Sequence, residues 1–216
     1  MEESTSKEKI LKKIRKALIH KSEVDYTNVD FESEIYSNSE ESQELLFAQK
    51  FSELNGKFVF CENEKDFIET FSSLVHENKW EVIFAFEPKV KELLSLANLK
   101  FIDNPQQIAT IDIGVTLCES LVARTGTVMV SSRQEAGRRL GAYSNIHVVV
   151  AYTSQLVLNV KDALKVIKTK YGNNFPSLVT AITGPSRTAD IEKTLVQGAH
   201  GPKDIFVFLI DDLGVE

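Results

Sequence analysis

The sequence predicts an α/β fold, a mainly parallel sheet with helices on its faces. Three observations predict it. From Lys57 onward, short β-rich apolar runs alternate with segments of helical period, which is the pattern of βαβ crossovers. The 216 residues are 43% hydrophobic, enough for one sizeable core. Beyond residue 111 the strand signals crowd together without long helices between them, so some strands pair antiparallel and the sheet is mixed.

The elements follow in order. Lys7 to Ile19 places Ile10, Leu11, Ile14 and Leu18 on one helical face, with Thr5 and Glu8 in capping-box register. Lys21 to Glu41 loses periodicity, turns acidic and carries the isolated aromatics Tyr26, Phe31 and Tyr36. It reads either as an extended arm whose aromatics dock on another surface or as a disordered linker. Residues 1–40 are thus an N-terminal helix and arm, and 41–216 the α/β domain. A second helix spans about Glu41 to Leu54. Then come strand Lys57 to Cys61, helix Glu64 to His76, strand Glu81 to Phe86, helix Pro88 to Ala97 and strand Lys100 to Ile102. Asp112 to Leu117 and Thr127 to Ser131 are strands around an irregular turn at Glu119 to Arg124. Ile146 to Tyr152 is the next strand, and Thr153 or Ser154 opens a long helix ending near Tyr171, where Gly172 suits a left-handed cap.

The richest chemistry lies in Ile182 to Pro202, I-T-G-P-S-R-T-A-D-I-E-K-T-L-V-Q-G-A-H-G-P. Leu178 to Ile182 is β-rich, Gly184 and Pro185 make a turn, and Ile191, Leu195 and Val196 share a helical face. Ser186, Thr188 and Asp190 would then open a helix, whose free N–H groups and dipole attract an anion beside the forked cation of Arg187. The plain alternative is a helix cap, a solvated arginine and a tight turn at Gly198 to Pro202 before strand Ile205 to Ile210. Of the arginines, only Arg15 lies outside the span containing Arg124, Arg133, Arg138, Arg139 and Arg187. That concentration suggests either one positive cleft for a small anionic ligand or surface ion pairs. Thr125, Gly126 and Thr127 offer hydroxyls and N–H groups to the same ligand, or shape a strand entry. His200 and Asp190 are the candidate acid–base groups, His200 because imidazole titrates near neutrality.

Composition removes several classes. A net charge of −6 and a pI near 5.4 argue against general affinity for nucleic acid or acidic membranes. No apolar run reaches the length of a membrane span, and Met1 leads into a polar segment without a signal-peptide core, so a cytoplasmic location is expected. Cys61 and Cys118 are far apart, and His20, His76, His147 and His200 are scattered. Ligand sets for iron–sulfur clusters or structural zinc are therefore missing, and neither metal nor cofactor is expected.

T-G-P-S-R-T-A-D-I-E followed by G-A-H-G-P resembles the C-terminal signature of the lactate utilization protein C family, whose members are built on the LUD domain. D-I-G-V-T at Asp112 to Thr116, A-R-T-G-T at Ala123 to Thr127 and I-H-V-V-V at Ile146 to Val150 agree with it, so the resemblance covers Ile111 to Asp211. Arg124 departs from it, since many relatives carry an acidic residue before T-G-T. The resemblance implies a three-layer fold like that of ribose-phosphate isomerases, glucosamine-phosphate deaminases and CoA transferases. Sites there lie at the carboxyl ends of strands, where Arg124 to Thr127 and Thr183 to Thr188 would converge. It also implies an accessory subunit of an L-lactate oxidation system that binds a small anion, carries no redox centre and works with iron–sulfur partner proteins, with a homo-oligomer possible. The alternatives are a free-standing isomerase or CoA-transferase-like enzyme acting on a phosphorylated or thioester substrate, and a non-enzymatic ligand sensor. Glu119 invites comparison with the nucleophilic glutamate of CoA transferases, although its setting, C-E-S-L, does not match that signature.

Overall fold

The computed structural model describes residues 5–19, 41–107, 111–136, 139–191, 194–198 and 200–214. The chain forms two compact units, Met1–Ser39 and Glu40–Glu216. In the first, helix α1 (Ser6–Ile19) starts at the expected capping box. Thr5 N donates to Glu8 Oε2 at 2.9 Å, and Glu8 N donates to Thr5 Oγ1 at 3.4 Å. All its described residues are at the surface, Ile10, Ile14 and Leu18 included. Tyr26, Phe31 and Tyr36 lie outside the described residues.

The second unit runs α2 (Gln43–Glu53), β1 (Lys57–Cys61), α3 (Glu64–Glu77), β2 (Ile83–Phe84), α4 (Pro88–Leu96), β3 (Ile111–Leu117), β4 (Ser120–Val122) and β5 (Thr127–Ser131). It continues with α5 (Leu140–Tyr143), β6 (Ser144–Tyr152), β7 (Leu156–Val157), α6 (Val160–Tyr171), β8 (Val179–Ile182), β9 (Arg187–Ile191), β10 (Thr194–Gln197) and β11 (Asp204–Ile210). The strands sort into a five-stranded sheet, β1-β11-β6-β3-β2, in which every pairing is parallel, and a four-stranded sheet, β7-β4-β5-β8. Among the described residues, antiparallel pairing is confined to the smaller sheet, between β4 and β5 and between β5 and β8, and to the β9–β10 hairpin. The mixed character expected from the crowded strand signals is therefore divided between layers.

The period-2 alternation of the central strands builds two cores. Ile113, Val115, Val148, Val150, Phe206 and Phe208 face α3 and α4, where Phe208 meets Phe67 and Phe71 edge-on at centroid distances of 5.3 and 5.6 Å. Val149, Ala151, Ile205, Val207 and Leu209 point the other way, onto Phe47 and Phe51 of α2 and onto Leu121 and Val128 of the smaller sheet. Ala163 of α6 closes the outer side of that sheet against Val122 and Met129. Helices thus cover the molecule on both sides of the sheets.

Among the elements before β8, three differ most from expectation. Lys100 to Ile102 reduces to an isolated bridge between Ile102 and Phe84. Inside the turn at Glu119 to Arg124 lies the short strand β4. The long helix does not open at Thr153: residues 153–155 make one 3-10 turn, Leu156 and Val157 pair with β4, and α6 begins after Asn159. Asn159 wins because Asp162 completes a reciprocal cap with it, whereas the apolar Leu156 and Val157 gain more by pairing with a strand. Gly172 ends the helix, but at φ +52° and ψ −123°, a positive-φ conformation open to glycine that differs from the left-handed cap expected.

Candidate functional site

The segment 187–197 is the principal correction. It is not a helix: Arg187–Ile191 and Thr194–Gln197 form an antiparallel hairpin, with Thr188 opposite Val196 and Arg187 opposite Gln197. Thr188, Ile191, Thr194 and Val196 are β-branched, which favours strands over the helical reading of the same apolar spacing. Among the described residues no helix begins at Ser186 to Asp190, so the anion cradle expected from Ser186, Thr188 and Asp190 lacks the helix N-terminus it requires. The side chain of Asp190 and the whole of Arg138 lie outside the described residues.

The other candidates from these loops do converge, but on the C-terminal end of α2. Thr127 Oγ1 hydrogen-bonds Thr125 Oγ1 at 2.8 Å and Thr183 Oγ1 at 2.9 Å. Gly126 takes φ +58°, and a Cβ there would stand 2.5 Å from Phe51 N; a Cβ on Gly184, at φ +90°, would stand 2.8 Å from Leu54 O. Arg187 donates through Nη2 to that same carbonyl, at the C-cap of α2. A guanidinium at a helix C-terminus satisfies an orphan carbonyl and complements the negative end of the dipole. Thr125, Gly126, Thr127, Gly184 and Arg187 thus dock the smaller sheet and the 183–187 turn onto α2.

The two halves of the terminal signature also meet. Ser186 N donates to Pro202 O at 2.9 Å, and Gly198 N donates to Ser186 O at 3.0 Å, closing the base of the hairpin. Lys203 N donates to Asn145 O at 2.8 Å and ties this base to the start of β6. His200 is exposed on the turn so formed. It lines a cleft of about 990 Å3 whose other walls include Ser132, Glu135, Arg139, Ser144 and Asn145. Arg139 and His200, remote in sequence, are thereby brought to one concavity. Ser144 adds a buried hydroxyl without a partner. The cleft gathers around the amino ends of β6 and β11, and it also takes in Phe86 after β2 and Ser132 after β5.

A buried polar layer lies beside the cleft, and Ala136 lines both. Glu87 follows β2 at the start of α4, turns inward and is 4% exposed; its Oε2 accepts from Leu117 N at 3.2 Å. Burial pushes this carboxyl up to about 7, against the N–H groups of Leu117 and Ala136, with Glu135 and Glu119 adding to the rise. On the neighbouring strands, Thr116 Oγ1 and His147 Nε2 are 2.9 Å apart. Burial alone lowers His147 to about 4, so its ring is neutral. Close packing makes the pocket: a Cβ on Gly141 would come 2.8 Å from His147 Cε1, and one on Gly114 would come 2.9 Å from Leu140 Cγ.

Glu119 belongs to a third group. Its carboxylate accepts from Ser131 Oγ at 2.5 Å, Tyr171 OH at 2.7 Å and Lys170 Nζ at 2.8 Å. Burial opposes its ionisation, yet these donors and the Lys170 charge outweigh burial and hold the group below the usual range. With its side chain fully covered, Glu119 is a structural anchor between β3, β5 and α6 rather than a presented nucleophile. Cys61 and Cys118 are buried free thiols, and burial pushes Cys61 up to about 12. Among the described residues, no group of three or more His, Cys, Asp or Glu side chains is placed to hold a metal ion, and no helix is long and apolar enough to cross a membrane.

Sequence reasoning missed Glu87, Thr116 and His147 as a group. The available signals were a lone histidine inside I-H-V-V-V and a glutamate between the apolar run I-F-A-F and Pro88, a helix start.

A parallel sheet flanked by helices, backed by a smaller mixed sheet, with its cleft beside a G-A-H-G-P turn, defines the class as a three-layer α/β domain. The chain belongs to the LUD domain family, whose model matches residues 44–210. It is similar to Lactate utilization protein C of Bacillus licheniformis, 34% identical over 112 residues, which are 51% of this chain and 47% of that protein. The protein of the same name from Bacillus subtilis is 31% identical over 112 residues, with the same two coverages. An uncharacterized Neisseria meningitidis protein is 38% identical over 100 residues, 46% of this chain and 42% of that one. The matched region spans about half the length of these curated relatives. Among solved structures, a DUF162 family protein from Deinococcus radiodurans superposes with a TM-score of 0.57 at 15% identity, covering 78% of this chain and 96% of that one, a likeness of fold.

Proposed function

We propose that this chain is an accessory component of a lactate utilization system, binding a small anion in the cleft that Arg139 and His200 line. The observation that carries the reading is their meeting in one concavity. A guanidinium offers a carboxylate two parallel N–H donors, and a histidine ring N–H adds a third. The names of the Bacillus relatives supply the lactate connection. With only two cysteines, both buried, the chain lacks the thiolate quartet of an iron–sulfur cluster. On this reading electron transfer belongs to iron–sulfur partner proteins, and the system is cytoplasmic. The covered carboxylate of Glu119 weighs against a CoA-transferase-like covalent step.

The test is titration calorimetry of the purified chain with L-lactate, pyruvate and sulfate, beside complementation of a deletion strain on lactate. Arg139→Ala should weaken whichever anion binds by ~10- to 100-fold, the loss of a charged hydrogen bond of about 1.5–3 kcal/mol, and should slow growth on lactate. Equal affinity in wild type and variant, or normal lactate consumption without the gene, refutes the reading.

A further inference from the structure

Two residues that line the same small void each carry a buried polar atom without a partner. Glu87 Oε1 and His147 Nδ1 are both without a hydrogen-bond partner, although Glu87 is 4% exposed and His147 not at all. Both residues line a cavity of about 10 Å3, together with Thr116, Gln134 and Gly141. Buried side-chain polar atoms without partners are uncommon, because each forfeits its bonds to water and receives nothing in return. Two such atoms on one void of about the volume that admits a water molecule point to a shared third partner.

The surrounding charges constrain what that partner does. Glu135 from the segment after β5 and Glu119 from the β3–β4 connection both raise the proton affinity of Glu87, while Lys170 of α6 is committed to Glu119. From β6, His147 faces the void as a neutral ring. If its Nε2–H donates to Thr116 Oγ1, Nδ1 is left as an acceptor. A neutral carboxyl donor and an imidazole acceptor are then separated by the void.

We propose that this void binds one water molecule bridging Glu87 Oε1 and His147 Nδ1, which makes the two side chains a buried acid–base pair. The step balances within the compartment. Glu87 gives its proton to the water as the water gives one to His147 Nδ1, leaving a carboxylate and an imidazolium with the total charge unchanged, and the reverse transfer restores the start. The pair abuts the cleft at Ala136, whose N–H also holds the Glu87 carboxyl. Its role there, as the proton-handling group behind the cleft, rests on the anion-binding reading; the water and the pair do not.

The experiment is a carboxyl-carbon NMR titration of the full chain labelled at its glutamate side chains, with a crystal structure at a resolution that places waters. One glutamate resonance should titrate near neutrality, disappear in Glu87→Gln and move in His147→Gln. The crystals should hold a water within hydrogen-bond distance of both Glu87 Oε1 and His147 Nδ1. If Glu87→Gln fails to fold, the wild-type titration and the His147→Gln displacement still decide. Titration of every glutamate in the ordinary carboxylate range, a dry void or a direct Glu87–His147 bond each overturns the proposal. Failure of the chain to bind any anion would remove the cleft reading and leave these readouts unaffected.

Discussion

Replacing Glu87 with glutamine should change the pH dependence of stability more than stability at any one pH. Folding lifts the Glu87 carboxyl from its ordinary 4.5 to about 7. Between these values the native state holds a proton that the unfolded chain has released, so stability falls as pH rises. The contribution is fully present below about 4.5 and lost by about 7. At ~1.4 kcal/mol per unit, that amounts to about 3 kcal/mol for this nearly covered group. His147 works in the opposite sense. Folding lowers it from 6.5 to about 4, so its contribution is present above 6.5 and lost as pH falls toward 4, again about 3 kcal/mol. From about 4.5 to 6.5 the two slopes cancel in the wild type. Urea unfolding of wild type and Glu87→Gln across pH 4.5 to 8 at fixed ionic strength isolates the carboxyl together with its coupling to His147, since groups remote from Glu87 cancel in the difference. The stability of the wild type relative to the variant should fall by about 3 kcal/mol across that window, and the variant alone should gain stability with pH up to about 6.5. A flat difference curve refutes the claim that the native protein keeps a proton on Glu87.

Other outcomes follow from the corrected role of the loops around α2. Arg187→Ala should cost about 0.5–1 kcal/mol in urea unfolding, as a cap on an exposed helix end, while leaving anion affinity in calorimetry unchanged. Gly126→Ala and Gly172→Ala share a positive φ but differ in surroundings, a Cβ 2.5 Å from Phe51 N against nothing within 4 Å. Thermal unfolding should show a loss of about 2–4 kcal/mol for the first and about 1 kcal/mol for the second. Removal of residues 1–39 should leave 40–216 with a cooperative transition in circular dichroism and change self-association in sedimentation velocity, because a solitary amphipathic helix gains stability only by burying its apolar face. A truncated chain that stays monomeric and does not fold would show that the arm belongs to the core.

Much of the fold was legible because local signals and tertiary context agreed. Asn63 before Glu64, Ser42 before Gln43 and Gly172 after Tyr171 mark helix ends that the backbone uses. The apolar run Val148 to Ala151 is buried from both faces and is a central parallel strand. Signals failed where a non-local partner decided the outcome. Ile191, Leu195 and Val196 suit a helical face, but the pairing of Arg187 with Gln197 settles the segment as a hairpin, and no local window contains that information. Leu156 and Val157 likewise depend on β4, a strand too short to be recognised by its period.

The site was legible in the opposite proportion, and the glycines explain why. A sequence reader sees Gly126, Gly184 and Arg187 as an anion cradle because glycine loops and arginine are what phosphate and carboxylate sites contain. The same residues are also what close packing on a helix end requires, namely backbones without Cβ and a cation for the orphan carbonyls. Composition does not separate the two uses, whereas the direction of the helix does: a C-terminus repels the anion that an N-terminus would hold. α2 presents its C-terminus to these loops. Arg139 and His200 meet elsewhere, in an opening that neither Gly126 nor Gly184 lines. Glycine works beside the buried acid–base pair as well, where Gly114 and Gly141 bring α5 onto β3 and β6 closely enough to seal His147 from solvent. A lone histidine in an apolar strand thus becomes informative only once the residue covering it is known to lack a side chain.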